Sequence, residues 1–183
     1  MVHENLIVDI PPPSLHDLSR EGIELLVERG PAFLVNGTVL VTGQIERSTS
    51  FETGLKNHEA EKDGSWQPDP WVYDDQALVI HIRNKGLVVM TGCGHAGVIN
   101  TLQQVRSQTG IEQLYAVVGG FHLSGALFEP IIPQTVAALH HLKPAVIVPA
   151  HCTGWRAMQQ IAQSMPQAYI PNSVGTTFKL MAE

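Results

Sequence analysis

Three short segments carry the side chains best suited to chemistry. They are Gly92-Cys93-Gly94-His95-Ala96-Gly97, Gly119-Gly120-Phe121-His122-Leu123 and His151-Cys152-Thr153-Gly154. Each follows an apolar run: Gly86 to Thr91, Tyr115 to Val118, and Ala145 to Ala150. Short β-branched runs bounded by glycines read as buried strands. Each strand therefore delivers one histidine just past its end, where ligands collect in α/β sheets. Convergent imidazoles are the usual means of holding zinc or a similar transition metal. The glycines allow a sharp turn and a close backbone approach to a ligand or ion.

Cys93 and Cys152 are the only cysteines, and each sits beside one of these histidines. Two readings stay open: a mixed thiolate and imidazole site, or small residues packing tight turns. Two cysteines give no disulfide framework and point to a reducing, cytoplasmic setting. Asp74-Asp75, ahead of the strand-like Gln76 to Ile82, could supply hard oxygen ligands or a general base. A solvated strand start is the competing reading, since adjacent side chains in a strand face opposite ways.

These segments need a scaffold. Val98, Leu102 and Val105 share one face of a helix that would cover the first strand, and the segment Val98 to Arg106 is assigned to it. From residue 87 the pattern alternates strand and helix, with further helices at Ile131 to Leu142 and at Gly154 to Ser164, the latter capped by Thr153. Earlier, Ala32 to Val41 reads as a hairpin about Asn36-Gly37, and Asn84-Lys85-Gly86 turns a second one. Ser14 with Asp17 resembles a capping box that opens a helix from Leu15 to Glu28, after the breaker Pro11-Pro12-Pro13. Residues 44–70 look irregular, either a flap over a pocket or an insertion. Thr176 to Leu180 reads as a closing strand. His3, His16, His58, His81, His140 and His141 lie in polar, terminal or mid-element settings and are read as surface or structural residues.

The 183 residues suit a single domain, 1–183, with a substantial core; 44% are hydrophobic and 15% charged. The net charge of −6 and the lack of a basic patch argue against nucleic-acid binding. No run approaches a membrane span, and Met1 to Ile10 lacks both a basic start and an apolar signal core.

Taken together, the segments resemble the C-terminal portion of a metallo-β-lactamase-fold hydrolase, nearest the group resembling dihydropterin-methyl-ribofuranosylaminobenzene phosphate synthases. The resemblance rests on Val41 to Arg47, Phe51-Glu52, Asp74 to Leu78, Thr91 to Gly97, Gly119 to Leu123 and His151 to Gly154, in that order. It implies an α/β fold, the C-terminal part of an αβ/βα sandwich, with a mixed sheet, flanking helices and a metal site at one edge. It implies His95 and His151 as metal ligands. His122 stands where the fold usually supplies an acidic bridging ligand, which is a departure. The ion implied is divalent, zinc first, with manganese and iron as alternatives. Asp75 and Asp74 become candidates for catalysis, Arg47, Gly94 and Thr153 for substrate contact, and Cys93 and Cys152 for secondary ligands. The implied reaction is attack of metal-activated water on a phosphoester, lactone or related small-molecule ester. The superfamily motif H-x-H-x-D-H is absent from the 183 residues. Half a sandwich leaves one sheet face uncovered, so the second expectation is an inactive half-domain that works as a homodimer or with a complementary chain.

Overall fold

The computed structural model describes residues 14–20 and 22–182. The expectations for Met1 to Ile10, His3 and Pro11 to Pro13 fall outside the described residues. The main sheet has six strands in the order β1-β2-β5-β6-β7-β8. These are β1 (Ala32–Leu34), β2 (Val39–Val41), β5 (Ala77–Ile82), β6 (Gly86–Thr91), β7 (Leu114–Gly120) and β8 (Val146–Ala150). The hairpin half is antiparallel from β1 to β6, while β6, β7 and β8 run parallel. Parallel neighbours need crossovers. Helices α2 (Val98–Thr109) and α3 (Ile132–Leu142) provide them, and α4 (Trp155–Ser164) follows β8.

The pleat sorts side chains between the two faces. Leu40, Val79, Val89, Val117 and Ile147 are successive cross-strand partners in one row. All are buried, under α2, α3 and α4 through Leu102, Val105, Leu139 and Ile161. The next row, Val41, Leu78, Met90, Val118 and Val148, lies on the opposite face. It is equally apolar, yet Leu78 is 41% exposed, and Val41, Met90 and Val118 are only partly buried. One face of the sheet thus forms the core, and the other keeps an apolar strip in contact with solvent.

Both hairpins form as expected. At Asn36-Gly37 both residues have positive φ (52° and 81°), and the Thr38 N–H donates to Val35 O (3.2 Å), the signature of a type I′ turn. Other expectations need correction. Among the described residues, the helix expected from Leu15 to Glu28 is reduced to α1 (Leu15–Leu18). Its cap forms, with the Asp17 N–H donating to Ser14 Oγ (3.2 Å). However, Leu26 and Val27 are 54% and 80% exposed, so no burial supports further turns. The stretch 44–70 is more ordered than expected and contains a small hairpin, β3 (Glu59–Lys62) with β4 (Ser65–Pro68). Asp63-Gly64 turns it with positive φ, and the His58 ring is held to Asp69 at its base. Thr176 to Leu180 forms no strand. Asp74 and Asp75 precede β5, as expected.

The segment 46–52 is fastened to α2 by side chains. Asn100, fully buried, accepts from the N–H groups of Ser48 (3.0 Å) and Thr49 (2.8 Å), and its Nδ2 donates to Ala96 O (2.8 Å). Removing such an amide strands several buried polar groups, each worth about 1–3 kcal/mol. Asn100→Ala is expected to destabilise the fold by about 2–4 kcal/mol in urea unfolding, far more than an exposed substitution such as Gln103→Ala.

Candidate metal centre

Because β6, β7 and β8 are parallel, their C-terminal ends and the loops that follow emerge at one edge. Backbone bonds then lock the loops together. The Gly120 N–H donates to Gly92 O (2.8 Å), and Thr91 Oγ1 donates to Gly120 O (2.9 Å). Gly94 has φ 72°, and a Cβ there would lie 2.5 Å from Gly120 O. Only glycine allows that approach. The third loop joins through Thr153, whose Oγ1 accepts from the Phe121 N–H (3.2 Å). Thr153 was expected to cap α4; Gly154 occupies the cap position instead, and the fully buried Thr153 hydroxyl faces the neighbouring loop.

This frame brings the three histidines to one edge. The His95 and His122 rings meet edge to face, with centroids 4.4 Å apart, and Phe128 packs on the far side of His122 at 4.5 Å. His122 has φ 45°, in the left-handed region, which fixes its departure from β7. Its Nδ1 is buried and has no hydrogen-bond partner. Burial, helped by the neighbouring His95 and His151, lowers the His122 pKa to about 4. The ring therefore stays neutral near pH 7, as a metal-binding imidazole must. His95 and His122 flank a cavity of about 140 Å³, which also touches Gly94, Gly97, Phe128 and Lys56.

His151 is exposed, and its Nε2 lies 3.1 Å from Cys93 Sγ. The Cys152 thiol donates to Cys93 O (3.1 Å). Among the described residues, Cys93, His151 and Cys152 are the one set of three donor-bearing side chains whose ligand atoms all lie within 4.8 Å of one another. The three histidines share an edge, but the described His151 ring turns towards the thiols.

The acidic pair is divided. Asp75 is mostly buried and accepts from the Ala96 N–H (2.7 Å), so it braces the backbone beside His95. Burial raises its pKa, against the Ala96 amide and the His95 and Arg47 charges. Asp74 is exposed and lines a separate depression with Tyr73, Gln76 and Arg29. Arg47 is turned inward, donating to the carbonyls of Ile45 and Trp71, and burial lowers its pKa. It staples the loop to Trp71 instead of lining the cavity.

Glu52 and Asn100 were assigned no role from sequence. The clue was the cap: α2 starts at Gly97, which has no side chain to bond the first free N–H groups. Glu52 supplies the acceptors from a distance, taking the N–H groups of Ile99 (2.9 Å) and Asn100 (2.7 Å). Gly97 must be glycine, because a Cβ would fall 2.2 Å from Glu52 Oε2.

A solved metal-dependent hydrolase of the β-lactamase superfamily superposes with a TM-score of 0.73 at 25% identity, over 87% of this chain and 59% of that one. The fold is that of the metallo-β-lactamase superfamily. The 7,8-dihydropterin-6-methyl-4-(β-D-ribofuranosyl)-aminobenzene-5′-phosphate synthase of Methanocaldococcus jannaschii is 30% identical over 162 residues, 84% of this chain and 52% of that protein. An uncharacterized protein of the same archaeon is 27% identical over 146 residues, covering 80% and 51%. The chain thus spans about half the length of the curated relatives it matches. No family model matches. The superfamily's divalent metal suits the donors found here: the unpartnered Nδ1 of His122, the adjoining His95 ring and the soft donors around His151.

Burial pushes the Glu52 carboxyl from 4.5 up to about 7, outweighing the two amides that favour its charged form. A carboxyl with a raised folded-state pKa binds more protons when folded than when unfolded. Stability therefore falls as pH rises from about 4.5 to about 7. The expected loss is up to about 3 kcal/mol. In Glu52→Gln this decline should vanish from unfolding curves taken across that window, whatever constant offset the substitution adds.

Proposed function

We propose that this chain supplies the histidine-bearing half of a metal-dependent hydrolytic site. His95, His122 and His151 would hold the ion, zinc before manganese or iron. The observation that carries the reading is the buried, unpartnered Nδ1 of a neutral His122, packed against His95 at the wall of a cavity. When bound, such an ion polarises an ester and lowers the pKa of water.

The chain's own residues set the stage. Asp75 fixes the His95 loop through the Ala96 amide, and Thr153 fixes the His122 loop through the Phe121 amide. Both therefore position ligands rather than move protons. Phe128 and Leu127 give the cavity an apolar side, while Gly94 keeps its backbone close to the substrate space. Lys56 puts a cation on the rim, which favours an anionic phosphoester over a neutral lactone. The 5′-phosphate in the archaeal relative's name agrees with that charge preference. The same relative is called a synthase, so group transfer from a phosphorylated substrate stands beside hydrolysis as the reaction class.

A second reading draws on the outer sheet face. The apolar strip of Val41, Leu78, Met90 and Val118 is the kind of surface that a second sheet covers in a sandwich. On this reading the chain works as a homodimer through that face, or with a complementary chain, and has no activity alone.

Two measurements test these readings. With zinc or manganese added, hydrolysis of a chromogenic phosphodiester should fall by about two orders of magnitude in His95→Ala and in His122→Ala. Equal turnover in wild type and both variants would remove the metal reading. Sedimentation should show a dimer that Leu78→Glu converts to monomer; a monomeric wild type would remove the homodimer.

A further inference from the structure

We propose that Cys93, Cys152 and His151 form a separate site for a thiophilic d10 ion of the zinc class, distinct from the histidine pair at the cavity. It shares His151 with the hydrolytic reading and otherwise stands apart from it.

The argument begins with the donors. Two thiols and one imidazole are soft ligands, a combination that selects zinc and copper(I) over calcium, magnesium or manganese. Bonds of about 2.3 Å to sulfur and about 2.0–2.1 Å to nitrogen place tetrahedral donors about 3.5–3.8 Å apart. Cys93 Sγ and His151 Nε2 already stand 3.1 Å apart, and all three ligand atoms lie within 4.8 Å of one another.

The backbone around the cluster makes room for it. A Cβ on Gly120 would lie 2.6 Å from Cys152 Sγ and 2.8 Å from His151 Cε1. Any larger residue there would push into the thiol and the imidazole. The Gly120 N–H to Gly92 O bond and the Cys152 thiol to Cys93 O contact hold the two cysteine loops at this spacing. His151 is exposed and Cys93 partly so, leaving an entry path and an open fourth position. Neither cysteine lines the cavity beside His95 and His122, so the two donor sets face different spaces.

Cobalt(II) distinguishes the sites, because only thiolate ligation gives an intense near-ultraviolet charge-transfer band. Titrated into the reduced chain, cobalt should produce this band with saturation at one equivalent, and added zinc should bleach it. Cys93→Ser and Cys152→Ser should each lose the band. The Cys93 side chain is partly exposed and bonds only within the cluster, so Cys93→Ser is expected to keep the native circular dichroism and serves if Cys152→Ser misfolds. His95→Ala should keep the band while losing hydrolysis, which separates failure of this site from failure of the catalytic reading. The proposal is overturned if cobalt gives no charge-transfer band in the wild type, or if a folded Cys93→Ser retains it at full intensity.

Discussion

The structure depends on the parallel pairing of β6, β7 and β8 carried through to their last residues. Gly119 pairs with Pro149 and Gly120 with Ala150, so the sheet is still in register where the loops begin. Three histidine-bearing loops therefore start from one line of backbone and need no long excursions to meet. The close approach of Gly94 to Gly120 O then removes the remaining slack. A side chain at either glycine would separate the His95 loop from the β7 end, or drive Gly120 into the thiol and imidazole behind it. Rigid strands supporting ligands on short turns is the arrangement that metal sites require.

Around that line, buried polar groups serve as fasteners. Glu52 and Asn100 tie segment 46–52 to the start of α2, Asp75 ties the turn before β5 to the His95 loop, and Thr153 ties the last loop to Phe121. Each fastener is a side chain bonded to backbone across a long sequence separation. Such bonds leave no local pattern, because neither partner determines the other's residue type. The cost of a raised Glu52 pKa shows how far the fold goes to hold this end of α2: burial opposes the charge, yet the carboxyl oxygens accept from both the Ile99 and Asn100 amides.

This explains what could be read in advance. The strands, the two hairpins about Asn36-Gly37 and before Gly86, and α2 to α4 carry strong periodic or turn signals, and the structure contains them. The three strand-to-histidine loops were visible because each places a histidine in a glycine-bearing turn directly after a β-branched run. Periodicity misled where burial was missing: the segment after Leu18 has helical spacing but its apolar residues meet solvent, and Thr176 to Leu180 has strand-like composition but joins no sheet. The hydrogen-bond partners of Asp75, Thr153 and Arg47 were not legible for another reason. Each is polar and near the site in sequence, but each faces inward, and side-chain direction follows from packing that composition does not encode.

The direction of His151 has a consequence for how the two donor sets relate. A neutral imidazole offers one lone pair, on the nitrogen that carries no proton. With Nε2 3.1 Å from Cys93 Sγ, the described ring lies on the thiol side. For His151 to join His95 and His122, the ring must leave Cys93, and its exposure lets it do so without disturbing the core. On the two proposals, the cysteine pair and the histidine pair compete for one ring. Ligands supplied from outside this chain, on the histidine side, would tip that competition by adding donors there. In their absence the cysteine side already has its three donors close together, and it holds the ring.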